Sequence, residues 1–196
     1  AATGRTIMEK RLDMKSVEYI FKICEEMGIH VHSYTDDAIV SKKQSKELTF
    51  YQQTIHMPTL LVERVDDAFA EKPPLKCVAV SIDGREKLEK LKDVLTPWAE
   101  GKITLLFSND KLLEMFPCES GKGKALEWLS EYLDIPVVNT LAAGDQDNDI
   151  SMIEAAGMGV AMCNGAEHVK EIADQVTQQS NNEDGLVPIL EKFFQI

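Results

Sequence analysis

The sequence is short of long apolar runs and of basic clusters. Of its 196 residues, 44% are hydrophobic and 28% are charged, yet no apolar run approaches the ~20 residues that a membrane-spanning helix needs. A basic stretch followed by an apolar one, the mark of a secretory signal, does not open the chain. The formal net charge is −12, and no group of lysines and arginines forms the basic face that nucleic-acid binding requires. We therefore expect a cytoplasmic globular protein with no membrane or nucleic-acid partner.

Cysteine and histidine are also scarce, and neither is arranged as a metal site. The cysteines lie far apart, with no Cys-x-x-Cys pair and no Cys/His ligand spacing: Cys24, Cys77, Cys118 and Cys163. Such cysteines are typical of small buried hydrophobic residues in a reducing compartment. His30 and His32 alternate along a predicted strand, whereas His56 and His168 stand alone. Although the chain is acidic, it can still bind an anionic substrate if a metal ion and a local lysine reverse the electrostatic potential at one spot.

The first part of the chain, up to about residue 115, has the pattern of an α/β unit. Asp13 is a favourable N-cap for a helix whose apolar residues recur at helical spacing until Gly28. A second helix is predicted at 85–95, and residues 42–70 are predicted to be helical in pieces. Strands are predicted at 6–12, 29–34, 38–41, 75–82, 103–108 and 112–116. The turn at residues 35–37 indicates a hairpin, and hence antiparallel pairing.

The second part of the chain alternates between strands and helices. Helices are predicted at 122–133, 148–156, 167–172 and 185–194, and strands at 137–143, 159–162 and 175–177. This alternation indicates a parallel sheet with helices on both faces. The segment 137–143 is almost wholly apolar, which favours a strand that is buried on both faces.

A group of acidic residues follows the predicted strand 137–143: Gly144-Asp145-Gln146-Asp147-Asn148-Asp149. Ligands of open α/β sheets bind outside the carboxyl ends of the strands. Asp145 and Asp149 are four residues apart across the turn into a helix, so both can face one crevice, where Mg²⁺ would offset their repulsion. The helix N-terminus beside them suits a phosphate group. A purely structural alternative, in which the acids cap the helix, fits these residues equally well.

The motif Gly144-Asp145-x-x-Asn148-Asp149-x-x-Met152 resembles the fourth motif of haloacid-dehalogenase-like (HAD) phosphatases, in particular the Cof-like branch. That branch continues with segments that match Ala161-Met162-Cys163-Asn164, Ala173-Asp174 and Glu183-Asp184-Gly185. Upstream, Lys122-Gly123 matches in position a Lys-Gly pair that opens a helix. The resemblance is specific over residues 112–194. It implies the C-terminal part of a doubly wound parallel, Rossmann-like core at 116–196, with an inserted α/β cap domain at 1–115 that selects the substrate.

The resemblance also implies a mechanism and residue roles. In this family an aspartate attacks the phosphorus of a phosphomonoester and forms an aspartyl-phosphate, while Mg²⁺ clamps the phosphate against that nucleophile. By position, Asp145 corresponds to an acidic Mg²⁺ ligand, and Asp149 to a further ligand or to a partner of one. Lys122 corresponds to a catalytic group that contacts the phosphoryl group and the nucleophile. Asn148 corresponds to a residue that hydrogen-bonds the phosphate.

The sequence departs from the family in one important respect. The first family motif, Asp-x-Asp-Gly-Thr, carries the nucleophile, and no such string occurs in these residues. The second motif, a Thr or Ser that ends a core strand, is also missing. We therefore expect that the chain begins where the cap begins and lacks the nucleophile segment. Alone it should be inactive, and its exposed core sheet edges should favour self-association. A smaller departure is Cys163, where relatives usually have glycine.

Three functions remain open at this point. The first is a Mg²⁺-dependent phosphatase of small phosphorylated metabolites, such as sugar phosphates or cofactor phosphates. The second is a non-catalytic ligand-binding or regulatory module that kept the fold and lost the nucleophile. The third is a phosphomutase, which shares the same motifs and differs in its cap. The metal and phosphate residues favour the first, since drift would be tolerated at Lys122, Asp145 and Asn148 if the chemistry were gone.

Overall fold

The chain folds into two units in the computed structural model, which describes residues 4–195. One unit comprises Ala1–Glu119 and the other Ser120–Ile196. Residues 1–3 of the predicted cap and residue 196 of the predicted core therefore lie outside the described residues. The predicted boundary after residue 115 falls inside the strand Leu112–Pro117. No helix within residues 4–195 is both long and apolar enough to cross a membrane.

The first unit is a six-stranded sheet with helices. Its elements in chain order are α1 (Met14–Glu26), β1 (His30–Tyr34), β2 (Ile39–Ser41), α2 (Lys46–Gln52), β3 (Thr59–Leu61), α3 (Val65–Ala68), β4 (Cys77–Val80), α4 (Glu86–Ala99), β5 (Ile103–Asn109) and β6 (Leu112–Pro117). The strand order is β3-β2-β1-β4-β6-β5. Neighbouring strands are antiparallel except β2 and β3. The predicted hairpin and the α/β class of this unit are confirmed.

The core of the first unit packs α1 and α4 onto one face of the sheet. Helix α1 begins after Asp13, whose carboxylate accepts the backbone N–H of Ser16 at 3.0 Å and so satisfies one of the free donors of the first turn. The apolar face of α1 is buried, as the helical spacing predicts: Val17, Ile20, Phe21 and Cys24. It joins Leu88, Leu91 and Leu95 of α4 in one cluster. Burial of each such leucine contributes roughly 1.5–3 kcal/mol.

The opposite face of this sheet carries a chain of buried polar side chains along β1. His30 and His32 lie on the same face because side chains alternate along a strand. Ser45 Oγ lies 3.0 Å from His30 Nδ1, His30 Nε2 lies 3.1 Å from His32 Nδ1, and His32 Nε2 lies 3.0 Å from the hydroxyl of Tyr34. Tyr34 in turn donates to the hydroxyl of Tyr51, on α2, at 2.5 Å. Burial lowers the pKa of His30 to about 4 and that of His32 to about 3.

Some predictions for the first unit are wrong. Residues 6–12 form no strand, although the backbone N–H of Leu12 donates to the carbonyl of Pro74 at 2.9 Å. The segment 42–70 contains helices α2 and α3 as predicted, but it also contains the strand β3, which pairs with β2. Helix α4 continues to Ala99, four residues past its predicted end at 95, although Pro97 lies inside it and has no backbone N–H to donate.

The second unit is a small parallel sheet with helices. Its elements in chain order are α5 (Lys122–Leu133), β7 (Leu141–Gly144), α6 (Ile150–Ala155), β8 (Met158–Ala161), α7 (Glu167–Ile172), β9 (Gln175–Val176) and α8 (Val187–Phe194). The strands are parallel in the order β7-β8-β9. The predicted parallel sheet is confirmed, and α5 and α7 have the predicted bounds. This topology places the carboxyl ends of the three strands at one edge.

The strand predicted at 137–143 is partly wrong. Residues Val137–Asn139 form a single 3-10 turn, and the strand begins only at Leu141. Pro136 precedes the turn, and the hydroxyl of Thr140 donates back to the carbonyl of Val137 at 2.6 Å. Val138 is 73% exposed, and exposure alternates along the strand that follows. The apolar run therefore does not represent a strand that is buried on both faces.

Candidate functional site

The strand β7 ends in a tight loop that runs from Gly144 to Asp149 and leads into α6. Residues Asp147–Asp149 form a 3-10 turn. Gly144 is required here by a close approach rather than by an unusual φ angle. A Cβ atom at this position would lie 2.2 Å from Cβ and 2.5 Å from Cγ of Asp149. The glycine therefore allows the Asp149 side chain to fold back across the end of the strand.

The carboxylate of Asp149 holds this loop together. Asp149 is only 4% exposed, and its Oδ2 atom accepts the backbone N–H groups of Asp145 at 2.9 Å and of Gln146 at 3.2 Å. Its Oδ1 atom accepts a hydrogen bond from Nζ of Lys122. Burial raises the pKa of Asp149, but the bonds from Lys122 and the two N–H groups outweigh it, so the pKa lies below its ordinary value. The carboxylate is charged and fully engaged at neutral pH.

Lys122 stands at the first position of α5, directly after Gly121, whose φ is 124°. Its side chain is 48% exposed, so the ammonium group contacts Asp149 on one side and remains accessible on the other. The next residue, Gly123, lies against α6: a Cβ there would be 2.3 Å from the carbonyl oxygen of Ser151, and its N–H donates to the hydroxyl of Ser151 at 3.2 Å. This close packing fixes where α5 begins and therefore where Lys122 lies.

Asp145 and Asn148, the other two predicted site residues, lie in the same loop. Both are half-buried. The carboxylate of Asp145 has a long contact of 3.5 Å with the side-chain amide of Gln146, and its backbone carbonyl accepts the N–H of Ala166 at 2.9 Å. The structure thus brings Lys122, Asp145 and Asp149 together at the carboxyl end of β7, with Asn148 in the turn between the two aspartates.

A contact between two residues of this region, Asp147 and His168, was not predicted from the sequence. His168, on α7, places Nε2 2.5 Å from Oδ1 of Asp147, although this histidine stands alone in the sequence. The two residues are 21 positions apart, so no local pattern links them. The parallel topology offers a signal nonetheless: residues that follow β8 lie at the same sheet edge as residues that follow β7.

The hydrogen bonds of this loop determine which of its carboxylates remain available to the predicted metal ion. Asp149 is engaged by three donors and Asp147 by His168, which leaves the carboxylate of Asp145 available to a hard cation. No group of three or more His, Cys, Asp or Glu side chains in the described part of the chain is arranged to hold a metal ion. Mg²⁺ usually keeps several waters and takes only one or two protein carboxylates. Asp145 fits such an ion as a single ligand, while direct ligation by Asp149 stays a prediction.

Comparisons with known proteins agree with the fold. A protein-family model described as haloacid dehalogenase-like hydrolase matches residues 1–190. The 5-amino-6-(5-phospho-D-ribitylamino)uracil phosphatase YitU of Bacillus subtilis (strain 168) is 39% identical over 228 residues, which cover 100% of this chain and 84% of that protein. The HMP-PP phosphatase of Yersinia pseudotuberculosis is 27% identical over 175 residues, which cover 89% of this chain and 63% of that protein.

The fold similarity extends over almost the whole chain. The crystal structure of a haloacid dehalogenase-like hydrolase from Bacteroides thetaiotaomicron matches with a TM-score of 0.83 and 27% identity, covering 98% of this chain and 71% of that one. The α/β fold and the family resemblance expected from the sequence are confirmed by these matches.

Proposed function

Because this chain belongs to the haloacid dehalogenase-like hydrolase family, we propose that it is part of a Mg²⁺-dependent phosphatase of small phosphorylated metabolites. The observation that carries the proposal is the loop from Gly144 to Asp149 together with Lys122. It sets an accessible ammonium group and an available carboxylate at one sheet edge, where open α/β sheets bind ligands. An ammonium group and a metal ion held by a carboxylate both stabilise the negative charge of a reacting phosphate monoester.

In the proposed site each residue has a distinct task. Asp145 would hold Mg²⁺, which offsets the repulsion between the phosphate and an attacking carboxylate. Lys122 would contact a phosphoryl oxygen, and Asn148 would donate its side-chain N–H to another. Asp149 would act mainly through Lys122 and the loop backbone, because its oxygens already accept three hydrogen bonds.

The nucleophile would be an aspartate that is not among these 196 residues, since no Asp-x-Asp-Gly-Thr string occurs in them. That carboxylate would attack phosphorus while the bond from phosphorus to the leaving oxygen breaks. A second carboxyl group would give the leaving oxygen a proton and later take one from the water that hydrolyses the aspartyl-phosphate. The first unit would serve as the cap domain that selects the substrate.

The substrate class is suggested by the relatives. YitU and the HMP-PP phosphatase are both named for small organic phosphates. We extend to this chain only the shared chemistry, a phosphate ester on a small organic metabolite.

A screen over phosphorylated metabolites tests the proposal. The complete gene product, including the proposed nucleophile segment, should release inorganic phosphate with Mg²⁺ and lose this activity with a chelator. The 196-residue chain alone should release none. Transfer of the phosphoryl group to a second sugar hydroxyl would instead indicate a phosphomutase. Ligand binding without turnover in the complete product would indicate a non-catalytic module.

We also propose that the 196-residue chain self-associates through its second unit. Within residues 120–195, β7 pairs only with β8, so its other edge has free backbone donors and acceptors. Helix α5 and its C-terminal turn expose Leu129, Tyr132 and Leu133. Association of the 196-residue chain should appear as a concentration-dependent mass in light scattering, and a monomer at every concentration would contradict it.

A further inference from the structure

Asp147 and His168 form a contact that the proposed function does not use. Nε2 of His168 lies 2.5 Å from Oδ1 of Asp147, and the two side chains are 55% and 28% exposed. With its proton on Nε2, the imidazole donates to the carboxylate. Asp147 belongs to the 3-10 turn between Asp145 and Asp149, so this contact links α7 to the middle of the loop.

The segment that leads into α7 contacts the same loop at a second point. The N–H of Ala166 donates to the backbone carbonyl of Asp145 at 2.9 Å. Gly165 packs so closely that a Cβ there would lie 2.9 Å from Cα of Asp145. Residues 165–168 therefore hold the loop at the backbone of Asp145 and at the side chain of Asp147.

The loop is thus fixed from two sides. On its buried side, the carboxylate of Asp149 accepts the N–H groups of Asp145 and Gln146. On its exposed side, His168 holds Asp147. Asp145 precedes both contacts in the chain, and its own backbone is held by Asp149, which accepts its N–H, and by Ala166, which donates to its carbonyl. The adjoining 3-10 turn, Asp147–Asp149, is a single short turn, and such turns open locally more readily than longer helices, so a contact that holds Asp147 bears on the direction of the Asp145 carboxylate.

We propose that His168, acting through Asp147, is a positioning residue that fixes the loop from Gly144 to Asp149 and so orients the carboxylate of Asp145 toward a divalent cation. The orientation toward a cation rests on the proposed function, whereas the fixing of the loop does not. Exposed ion pairs contribute little to global stability. Partners that orient a metal ligand, by contrast, change metal affinity by about 10- to 100-fold when they are removed.

The test compares three variants of the complete gene product. His168→Leu removes the donor, whereas His168→Gln keeps an N–H donor at nearly the same distance from the backbone. Lys170→Ala is the matched control, because Lys170 lies on the same helix and pairs with Glu167 at 3.1 Å rather than with the loop. Amide hydrogen exchange at Asp145, Gln146 and Asp149 reports on the loop. Titration with Mg²⁺ alone, followed by calorimetry, reports on the metal site.

In His168→Leu we expect hydrogen exchange at these three amides to become about three- to tenfold faster. This factor corresponds to the loss of one half-exposed hydrogen bond to a charged group. We also expect Mg²⁺ affinity to fall about tenfold. His168→Gln and Lys170→Ala should stay close to the wild type in both, and the melting temperature should change little in all three. Unchanged exchange in His168→Leu would overturn the proposal. Faster exchange in a protein that binds no Mg²⁺ would keep the positioning role and overturn the proposed function.

Discussion

Lys122 and Asp149 form an ion pair between the first residue of α5 and a carboxylate that lies 27 residues later in the chain. The carboxylate is buried, and the lysine is half-exposed. A buried carboxylate is costly unless its hydrogen bonds are satisfied, and this one accepts from Lys122 and from two backbone N–H groups of its own loop. The pair therefore ties the position of Lys122 to the shape of the loop that carries Asp145.

Replacing Asp149 with alanine should destabilise the second unit by roughly 2–3 kcal/mol, because it leaves the two backbone donors and the ammonium group of Lys122 without their acceptor. Urea unfolding followed by the fluorescence of Trp128 measures the loss, in a Trp98→Phe background so that only the second unit reports. Lys124→Ala is the control, because it removes the exposed pair with Glu127 and should cost less than about 0.5 kcal/mol. An equal loss in the two variants would refute the organising role of Asp149.

Substituting Gly144 by alanine should also disrupt the loop, because the new Cβ would meet Cβ and Cγ of Asp149 at 2.2 and 2.5 Å. We expect a loss of roughly 1–3 kcal/mol in the free energy of unfolding of the second unit. The clash involves atoms that Asp149→Gly removes. The double variant Gly144→Ala/Asp149→Gly should therefore cost less than the sum of the single variants. Strict additivity would contradict the proposed cause.

The stability of the first unit should fall as the pH is lowered through the range of histidine titration. Burial lowers the pKa of His30 to about 4 and of His32 to about 3, while both titrate near 6.5 in the unfolded chain. The unfolded chain thus binds more protons, so the stability contribution is full above about pH 6.5 and is lost as the pH falls below it. Between pH 7.5 and 5.5 the loss is roughly 1 kcal/mol for each histidine.

Two measurements check this pH dependence. Urea unfolding followed by Trp98, in a Trp128→Phe background, gives the stability of the first unit at each pH. Nuclear magnetic resonance of the histidine rings gives their protonation directly: the signals of His30 and His32 should stay constant from pH 7.5 to 5.5 in the folded protein and shift in urea. Titration of either ring near pH 6.5 in the folded state would show that it is not held neutral.

Local patterns predicted much of the fold. The bounds of α5 follow from the glycine before Lys122 and from its apolar spacing, and those of α7 agree as well. The strand predicted at 137–143 was partly wrong because apolar composition alone cannot distinguish a buried strand from a turn. Pro136 and the hydrogen bond from the hydroxyl of Thr140 stabilise a turn at its start. The strand β3 was missed because its identity depends on pairing with β2, which short windows do not contain.

The candidate site was likewise predicted only in part from the sequence. Its residue types and its place after β7 were predicted from the motif, but the orientation of its carboxylates was not. The sequence left open whether the acids cap a helix or bind a metal, and Asp149 is observed in the capping arrangement with Gln146. The usual capping pattern begins with Ser, Thr, Asp or Asn rather than with Gln, so the sequence carried no clear signal for this arrangement of Gln146 and Asp149. The contact between His168 and Asp147 could not be predicted from the sequence, because only the folded sheet brings the two residues together.

The most direct test of the account is the rate of phosphate release by the complete gene product when Asp145 is replaced by asparagine. The control is Asp134→Asn, at an exposed position with φ 54° that asparagine tolerates. With Mg²⁺ and the best substrate of the metabolite screen, Asp145→Asn should lose at least about a hundredfold in rate, while Asp134→Asn keeps the wild-type rate. Wild-type phosphate release by a folded Asp145→Asn protein would contradict the assignment of Asp145 and with it the proposed site.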